Sequence, residues 1–256
     1  MEQTYSNYTD EDFKVWELLY NRQMKILPGM ASKGYLEGLK IIEFDEKIPN
    51  FEEMNKILMA ETNWKVYVVP GLIADKEFFE LMQNRNFCAT TWLRKMEELD
   101  YLEEPDMFHD VFGHVPLLTN KLFCQFLEEL CRIASDYIDN KNVIEVIARI
   151  YWFTVEFGLI KEEEGLRIYG AGILSSSGEC EYSLFSNEPK RFPYDVQHVM
   201  DTDYIKHKYQ EEYFVIDSYE QLYNSIPEIE AKAKEIHEKG IIVKPALQRQ
   251  KFLPLL

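Results

Sequence analysis

Two histidines five residues apart, His109 and His114, stand in residues 103–117, Glu-Glu-Pro-Asp-Met-Phe-His-Asp-Val-Phe-Gly-His-Val-Pro-Leu. Imidazole is the commonest metal ligand among side chains. On an unbroken α-helix, positions i and i+5 diverge by roughly 140°, too far to share one ion. Pro105 and Asp106 suit a first helical turn. Gly113 suits the C′ position, and Pro116 blocks continuation. The pattern predicts a helix that ends at Gly113 and lets His114 swing back towards His109. A third ligand is available in residues 150–160, Ile-Tyr-Trp-Phe-Thr-Val-Glu-Phe-Gly-Leu-Ile, where Glu156 is the one charged side chain. A helix apolar all round is buried. A buried carboxylate is costly unless it is paired or binds metal. Either Arg149 or Arg167 pairs with Glu156 in the core, or Glu156 joins the histidines. Two histidines and a carboxylate occupy one face of a metal and leave the other positions open to oxygen or substrate. The same ligand types hold catalytic zinc in hydrolases, so ligand type alone leaves both chemistries open. The zinc-protease order His-Glu-x-x-His is absent, and Asp110, beside His109, does not sit where that motif places its general base.

Further residues fit around such a centre. Arg94 follows Thr90-Thr91-Trp92-Leu93 and can grip a carboxylate in a bidentate fork, or pair structurally with Asp106 or Glu104. The two roles are compatible. Phe78 and Trp152 offer flat faces to a ligand, or pack in the core. The loop at 169–179, Tyr-Gly-Ala-Gly-Ile-Leu-Ser-Ser-Ser-Gly-Glu, lacks Gly-x-Gly-x-x-Gly and a following Lys-Ser/Thr, which rejects a nucleotide loop. It still offers Ser175 and backbone groups. His198, His207 and His237 lie among charged or polar neighbours and read as surface residues. Cys88, Cys124, Cys131 and Cys180 form no Cys-x-x-Cys motif and read as reduced thiols of a cytosolic protein.

The elements that must position these residues are mostly helical. Thr9 with Asp10, Glu11 and Asp12 marks a helix start, and Pro28-Gly29 its end. Helices are predicted over 32–39, from Asn50, and from an Asp75 cap through Phe78, Phe79 and Met82. Others follow over 121–137, 142–160 and 195–200, from Ser218 through Tyr223, and over 228–239 up to Gly240. Short strands are predicted at 66–69, 166–169 and 213–216, with 87–93 extended. With 256 residues and no linker or internal repeat, one mainly α domain with a few short β-strands is the simplest account. The net charge of −17 excludes nucleic acid and anionic membranes as partners. No signal-peptide pattern and no membrane-spanning apolar run is found, so a cytoplasmic protein is expected.

Three long motifs occur in order: Glu-Pro-Asp-x-x-His-Asp-x-x-Gly-His-Val-Pro, Ile-Tyr-Trp-Phe-Thr-Val-Glu-Phe-Gly-Leu, and Tyr-Gly-Ala-Gly-Ile-Leu-Ser-Ser. Together they resemble the aromatic amino acid hydroxylases, most closely the short bacterial branch that hydroxylates phenylalanine. Leu-Leu-Tyr-Asn-Arg-Gln-Met-Lys-Ile-Leu-Pro-Gly and Tyr-Phe-Val-Ile-Asp-Ser-Tyr fit that branch as well. The resemblance spans residues 5–225 and leaves 241–256 outside it. It implies a monooxygenase that converts L-phenylalanine to L-tyrosine with O₂, Fe(II) and a tetrahydropterin co-substrate. By matching motifs, His109, His114 and Glu156 hold the iron. Arg94, braced by Asp106, holds the substrate carboxylate with help from Ser175. Pro105, His109 and Trp152 line the aromatic pocket. The pterin stacks on Phe78, meets backbone at Gly71, Leu72 and Ile73, and lies near Asp110, which replaces a family glutamate. Leu102 replaces a threonine that animal members carry near the substrate. Trp152 replaces the Phe of tryptophan hydroxylases, which favours phenylalanine; tryptophan or tyrosine is the alternative substrate. The resemblance leaves no room for a regulatory domain or tetramerisation helix, so residues 1–256 are expected to be one catalytic domain, monomeric and constitutive. A zinc hydrolase and a non-catalytic amino-acid or pterin binder are the competing classes.

Overall fold

A reciprocal cap opens the first long helix: the Asp12 N–H donates to the Thr9 hydroxyl, and the Thr9 N–H donates to the Asp12 carboxylate. The computed structural model describes residues 1–100, 104–206 and 208–246. Leu102, Glu103, His207 and residues 247–256 lie outside the described residues.

Helices α1 (Asp10–Ile26), α2 (Lys33–Ile41) and α3 (Phe51–Glu61) come first, the last two capped by Ser32 and Asn50. Strand β1 (Lys65–Val68), α4 (Asp75–Met82) and β2 (Asn86–Ala89) form a crossover unit in which β1 and β2 pair in parallel. Asp75 is the first helical residue, and Ala74 holds the N-cap position without a side-chain bond. A π-helical segment, Phe108–His114, and a 3₁₀ turn, Val115–Thr119, lead to α5 (Lys121–Asp136) and α6 (Lys141–Tyr151). A second π-helical segment, Trp152–Glu156, extends α6. The chain continues through β3 (Leu159–Glu162), β4 (Gly165–Ile168), α7 (Ala171–Leu174), α8 (Ser177–Phe185), β5 (Lys190–Pro193), α9 (Val196–Asp201), β6 (Glu212–Ile216) and α10 (Tyr219–Lys239). The second sheet runs β4-β3-β6-β5 and is antiparallel only at β3–β4.

The mainly α architecture with short strands agrees with the expectation, while several boundaries differ. The helix expected over 142–160 stops at Glu156, because Leu159 and Ile160 continue the apolar run as a buried strand paired with β4 and β6. The loop expected over 170–178 contains α7 and the start of α8. The two helices expected after Ser218 are one, α10, which passes through Pro227. Its apolar stripe, Leu222, Ile226, Ile229, Ala233 and Ile236, packs along α5 and carries the helix across the proline. Gly240 ends it in the left-handed conformation, with φ of 61°. Among the described residues no helix is long and apolar enough to cross a membrane.

Candidate metal centre

The first π segment carries both histidines. A π turn bonds residue i to residue i+5, so positions five apart share a side. The expected helix break at Gly113 is absent; Gly113 stays inside the segment without left-handed backbone. What it provides is close approach, since a Cβ there would stand 3.0 Å from the Ala171 carbonyl oxygen. The other face of the segment is aromatic. Phe108 and Phe112 stack at 4.7 Å, and Trp16 of α1 meets Phe108 edge-on at 5.3 Å. Tyr35 of α2 donates its phenol to the Phe112 carbonyl at 2.7 Å. The segment is thereby fastened by its back, and its histidine face turns to Glu156.

Glu156 ends the second π segment. The Phe157 N–H donates to the Trp152 carbonyl at 2.9 Å, the five-residue bond of a π turn. Gly170 lies against the Glu156 carbonyl, where any larger side chain would collide. Neither arginine considered from the sequence pairs with Glu156. Arg149 binds Glu145 and Asp203, and Arg167 turns to the Leu166 carbonyl.

The three ligand candidates converge. His114 Nε2 lies 3.2 Å from His109 Nε2 and 3.1 Å from Glu156 Oε1, and His109 Nε2 lies 3.5 Å from Glu156 Oε2. A metal with bonds of about 2.1 Å spaces neighbouring donors by about 3 Å, so these atoms are spaced as one face of a coordination shell would be. Glu156 Oε1 is buried, and its contact with His114 Nε2 at 3.1 Å lacks hydrogen-bond geometry, which suits two ligand atoms that would share a cation. Ser175 prepares His109. Its hydroxyl donates to the Ala171 carbonyl at 2.9 Å, so it accepts from His109 Nδ1–H, also at 2.9 Å. The hydrogen-bond network therefore assigns the proton to Nδ1 and leaves the Nε2 lone pair facing Glu156. Burial lowers the His109 pKa to about 4, against the pull of Glu156, which keeps the imidazole neutral. Burial also works against the Glu156 charge, but His114 and His109 outweigh it and hold this carboxyl below its ordinary value.

Arg94 and Asp106 form a buried fork. Arg94 Nε and Nη2 donate to the two Asp106 oxygens at 2.9 and 2.8 Å, and the Arg94 backbone N–H adds a third bond at 2.9 Å. Asp106, not Glu104, is the partner. Its Oδ1 also accepts the His109 N–H at 3.2 Å, which ties the arginine to the ligand segment. Among the described residues no acceptor takes Arg94 Nη1. Trp152 donates its indole N–H to Gln210 at 3.0 Å and lies against Tyr204 and Phe157, each at 4.7 Å.

Gly71, Leu72, Ile73, Phe78 and Asp110 line one narrow cleft. Pro105, expected on the substrate side, lines it too. Asp110 Oδ2 accepts the Thr90 N–H and hydroxyl at 2.8 and 3.0 Å. Burial raises the Asp110 pKa to about 7 in spite of these donors. Thr90 and Gln210 belong to the surroundings of the site and were not legible as such. Thr90 reads as an ordinary strand residue, and Gln210 sits in a charged run that suggests surface.

Comparison with known proteins accounts for this arrangement. A sequence profile described as biopterin-dependent aromatic amino acid hydroxylase matches residues 3–239. The phenylalanine-4-hydroxylase of Chromobacterium violaceum is 47% identical over 224 residues, covering 87% of this chain and 75% of that protein. Its crystal structure with bound oxidised Fe(III) superposes with a TM-score of 0.89 at 44% identity, over 96% of this chain and 92% of that one. A second structure of that enzyme, holding iron(III) and the oxidised cofactor 7,8-dihydrobiopterin, gives a TM-score of 0.87 at 45% identity, over 92% and 86%. This chain belongs to the biopterin-dependent aromatic amino acid hydroxylases.

Proposed function

We propose that this chain hydroxylates L-phenylalanine to L-tyrosine, using O₂ and a tetrahydropterin at Fe(II) held by His109, His114 and Glu156. The observation that carries the reading is the convergence of those three buried or half-buried side chains, next to the cleft that Asp110 enters. Bound there, iron and reduced pterin would supply the activation of O₂.

The protein's own part is positioning. Arg94 offers Nη1 to the substrate carboxylate while Asp106 holds the guanidinium plane. Pro105, His109 and Trp152 wall the aromatic ring, and the bulk of the Trp152 indole leaves room for a phenyl group rather than a second indole. Ser175, at the same end, fixes the His109 ring. Phe78 gives the pterin a flat partner, and Gly71, Leu72 and Ile73 give it backbone groups. Asp110, one methylene shorter than the family glutamate, reaches it through a water. The same reading makes the chain a cytoplasmic monomer, for which light scattering should return 30.5 kDa.

Iron-loaded protein given phenylalanine, O₂ and a tetrahydropterin should form tyrosine, and none when the pterin is omitted. Chromatography of products from phenylalanine and tryptophan offered together settles the substrate. Zinc in the purified protein, with an activity indifferent to O₂, would overturn the reading.

A further inference from the structure

Gln210 lies between α9 and β6 in a polar, charged run, yet only 2% of it is exposed. Both ends of its amide are engaged. Oε1 accepts the Trp152 indole N–H at 3.0 Å and the Ile205 N–H at 3.3 Å, and Nε2 donates to the Ile205 carbonyl at 2.5 Å. Its backbone N–H donates to Glu179 Oε1 at 3.2 Å, and the same oxygen accepts the Tyr213 phenol at 2.7 Å. One residue thus joins α8, Ile205 and the π segment that ends in Glu156. The residues on either side of Ile205 meet the same indole: Tyr204 lies on it with the ring planes 26° apart, and Lys206 Nζ stands 5.2 Å from the ring centroid.

An amide is needed for this pattern. A carboxylate accepts but cannot donate to the Ile205 carbonyl, and an ammonium donates but cannot accept the indole N–H. A residue that merely held Ile205 would be satisfied by it. The additional bond to Trp152 couples Ile205 to a side chain four positions before Glu156.

We propose that Gln210 is a positioning residue for substrate selection: it fixes the tilt of the Trp152 indole and so sets the preference for a phenyl over an indole side chain. This rests on the reading of Trp152 as a wall of the aromatic pocket. Gln210→Leu leaves a buried indole N–H unpaired and frees the ring. The expected result is a roughly tenfold fall in the ratio of kcat/KM for phenylalanine to that for tryptophan, expressed mainly in KM. In a Trp152→Phe background, which has no indole N–H, adding Gln210→Leu should leave the ratio unchanged. Gln210→Asn keeps the amide but shortens its reach by one methylene. It should move the ratio the same way and guards against misfolding of the leucine variant.

A readout without turnover runs in parallel. The chain has four tryptophans. The ¹⁵N-indole resonance lost in Trp152→Phe should exchange slowly with solvent in the wild type, and should shift and exchange faster in the Gln210 variants. An equal fall of the ratio in both backgrounds, or a Trp152 resonance unmoved by Gln210→Asn, would overturn the proposal. Should the wild type hydroxylate neither amino acid, the reading of the site fails. The ratio of calorimetric affinities for the two amino acids in the same variants then decides the role of Gln210.

Discussion

Ser175→Ala separates two roles that sequence motifs alone leave merged. The resemblance puts Ser175 at the substrate carboxylate, whereas the structure puts its hydroxyl 2.9 Å from His109 Nδ1. Removing the hydroxyl does not orphan the Ala171 carbonyl, which still accepts the Ser175 N–H at 3.0 Å. It orphans His109 Nδ1–H alone, and with it the constraint on which ring nitrogen stays unprotonated. Loss of such an outer partner weakens metal binding by about 10- to 100-fold, or roughly 1.4–2.7 kcal/mol. An anaerobic Fe(II) titration against a competing chelator measures this directly, with circular dichroism to confirm that the variant is folded. At saturating iron, KM for phenylalanine should change less than about threefold, since a positioning loss falls on the metal first. Unchanged iron affinity with a raised KM would refute the reasoning and make Ser175 a substrate contact.

Glu156→Ala should reduce iron to background by metal analysis. Glu156→Asp, which withdraws the carboxylate by one methylene from donors now 3.1 and 3.5 Å away, should retain iron only weakly. Asp106→Asn removes the charge that neutralises buried Arg94; breaking such a pair typically costs about 3–5 kcal/mol, so a large fall in thermal stability and a raised KM are expected. Burial opposes the Asp106 charge but Arg94 outweighs it and holds the carboxyl low. The pair thus stabilises the fold above the unfolded carboxyl pKa, and that contribution is lost as pH falls through the folded value, a loss that Asp106→Asn should abolish in acid denaturation. Glu179 behaves oppositely: burial, opposed by its bond from Tyr213, raises it to about 7. Its contribution is complete below the unfolded pKa of 4.5 and lost as pH rises towards 7, by up to about 3 kcal/mol. Thermal melts of wild type and Glu179→Gln should therefore diverge between pH 5 and 7.

The candidate ligand set was legible because each member broke a local rule. Glu156 is a lone charge in an apolar run, and two histidines stand at a spacing that one α-helix cannot use. The way the spacing becomes usable was not legible. Gly113 and Pro116 carry stop signals, so a reading by period ends the helix there, whereas the chain stays helical with a wider turn. Apolar periodicity assumes a fixed number of residues per turn and cannot register a change in hydrogen-bond partner. The same blindness carried the 142–160 helix into β3, since Leu159 and Ile160 are as buried in a strand as they would be in a helix. Thr90 and Gln210 escaped for another reason. Their importance lies in partners 20 and 58 residues away, Asp110 and Trp152, which local pattern does not reach.

Both π segments need outside support, because a wider turn shifts backbone partners out of their regular places. On the back of the first, Tyr35 satisfies the Phe112 carbonyl. On the second, the Glu156 carbonyl is met closely by Gly170. The stretch after β4 serves both at once. Ala171 packs on Gly113, Ser175 holds His109, and Gly170 presses on Glu156. Helix α7 contacts both π segments. The separation of the two histidines from the glutamate is therefore set largely by residues 170–175, which supply no ligand themselves. The Gly-rich stretch that composition suggests to be a flexible loop packs instead as a helical spacer between the candidate ligands.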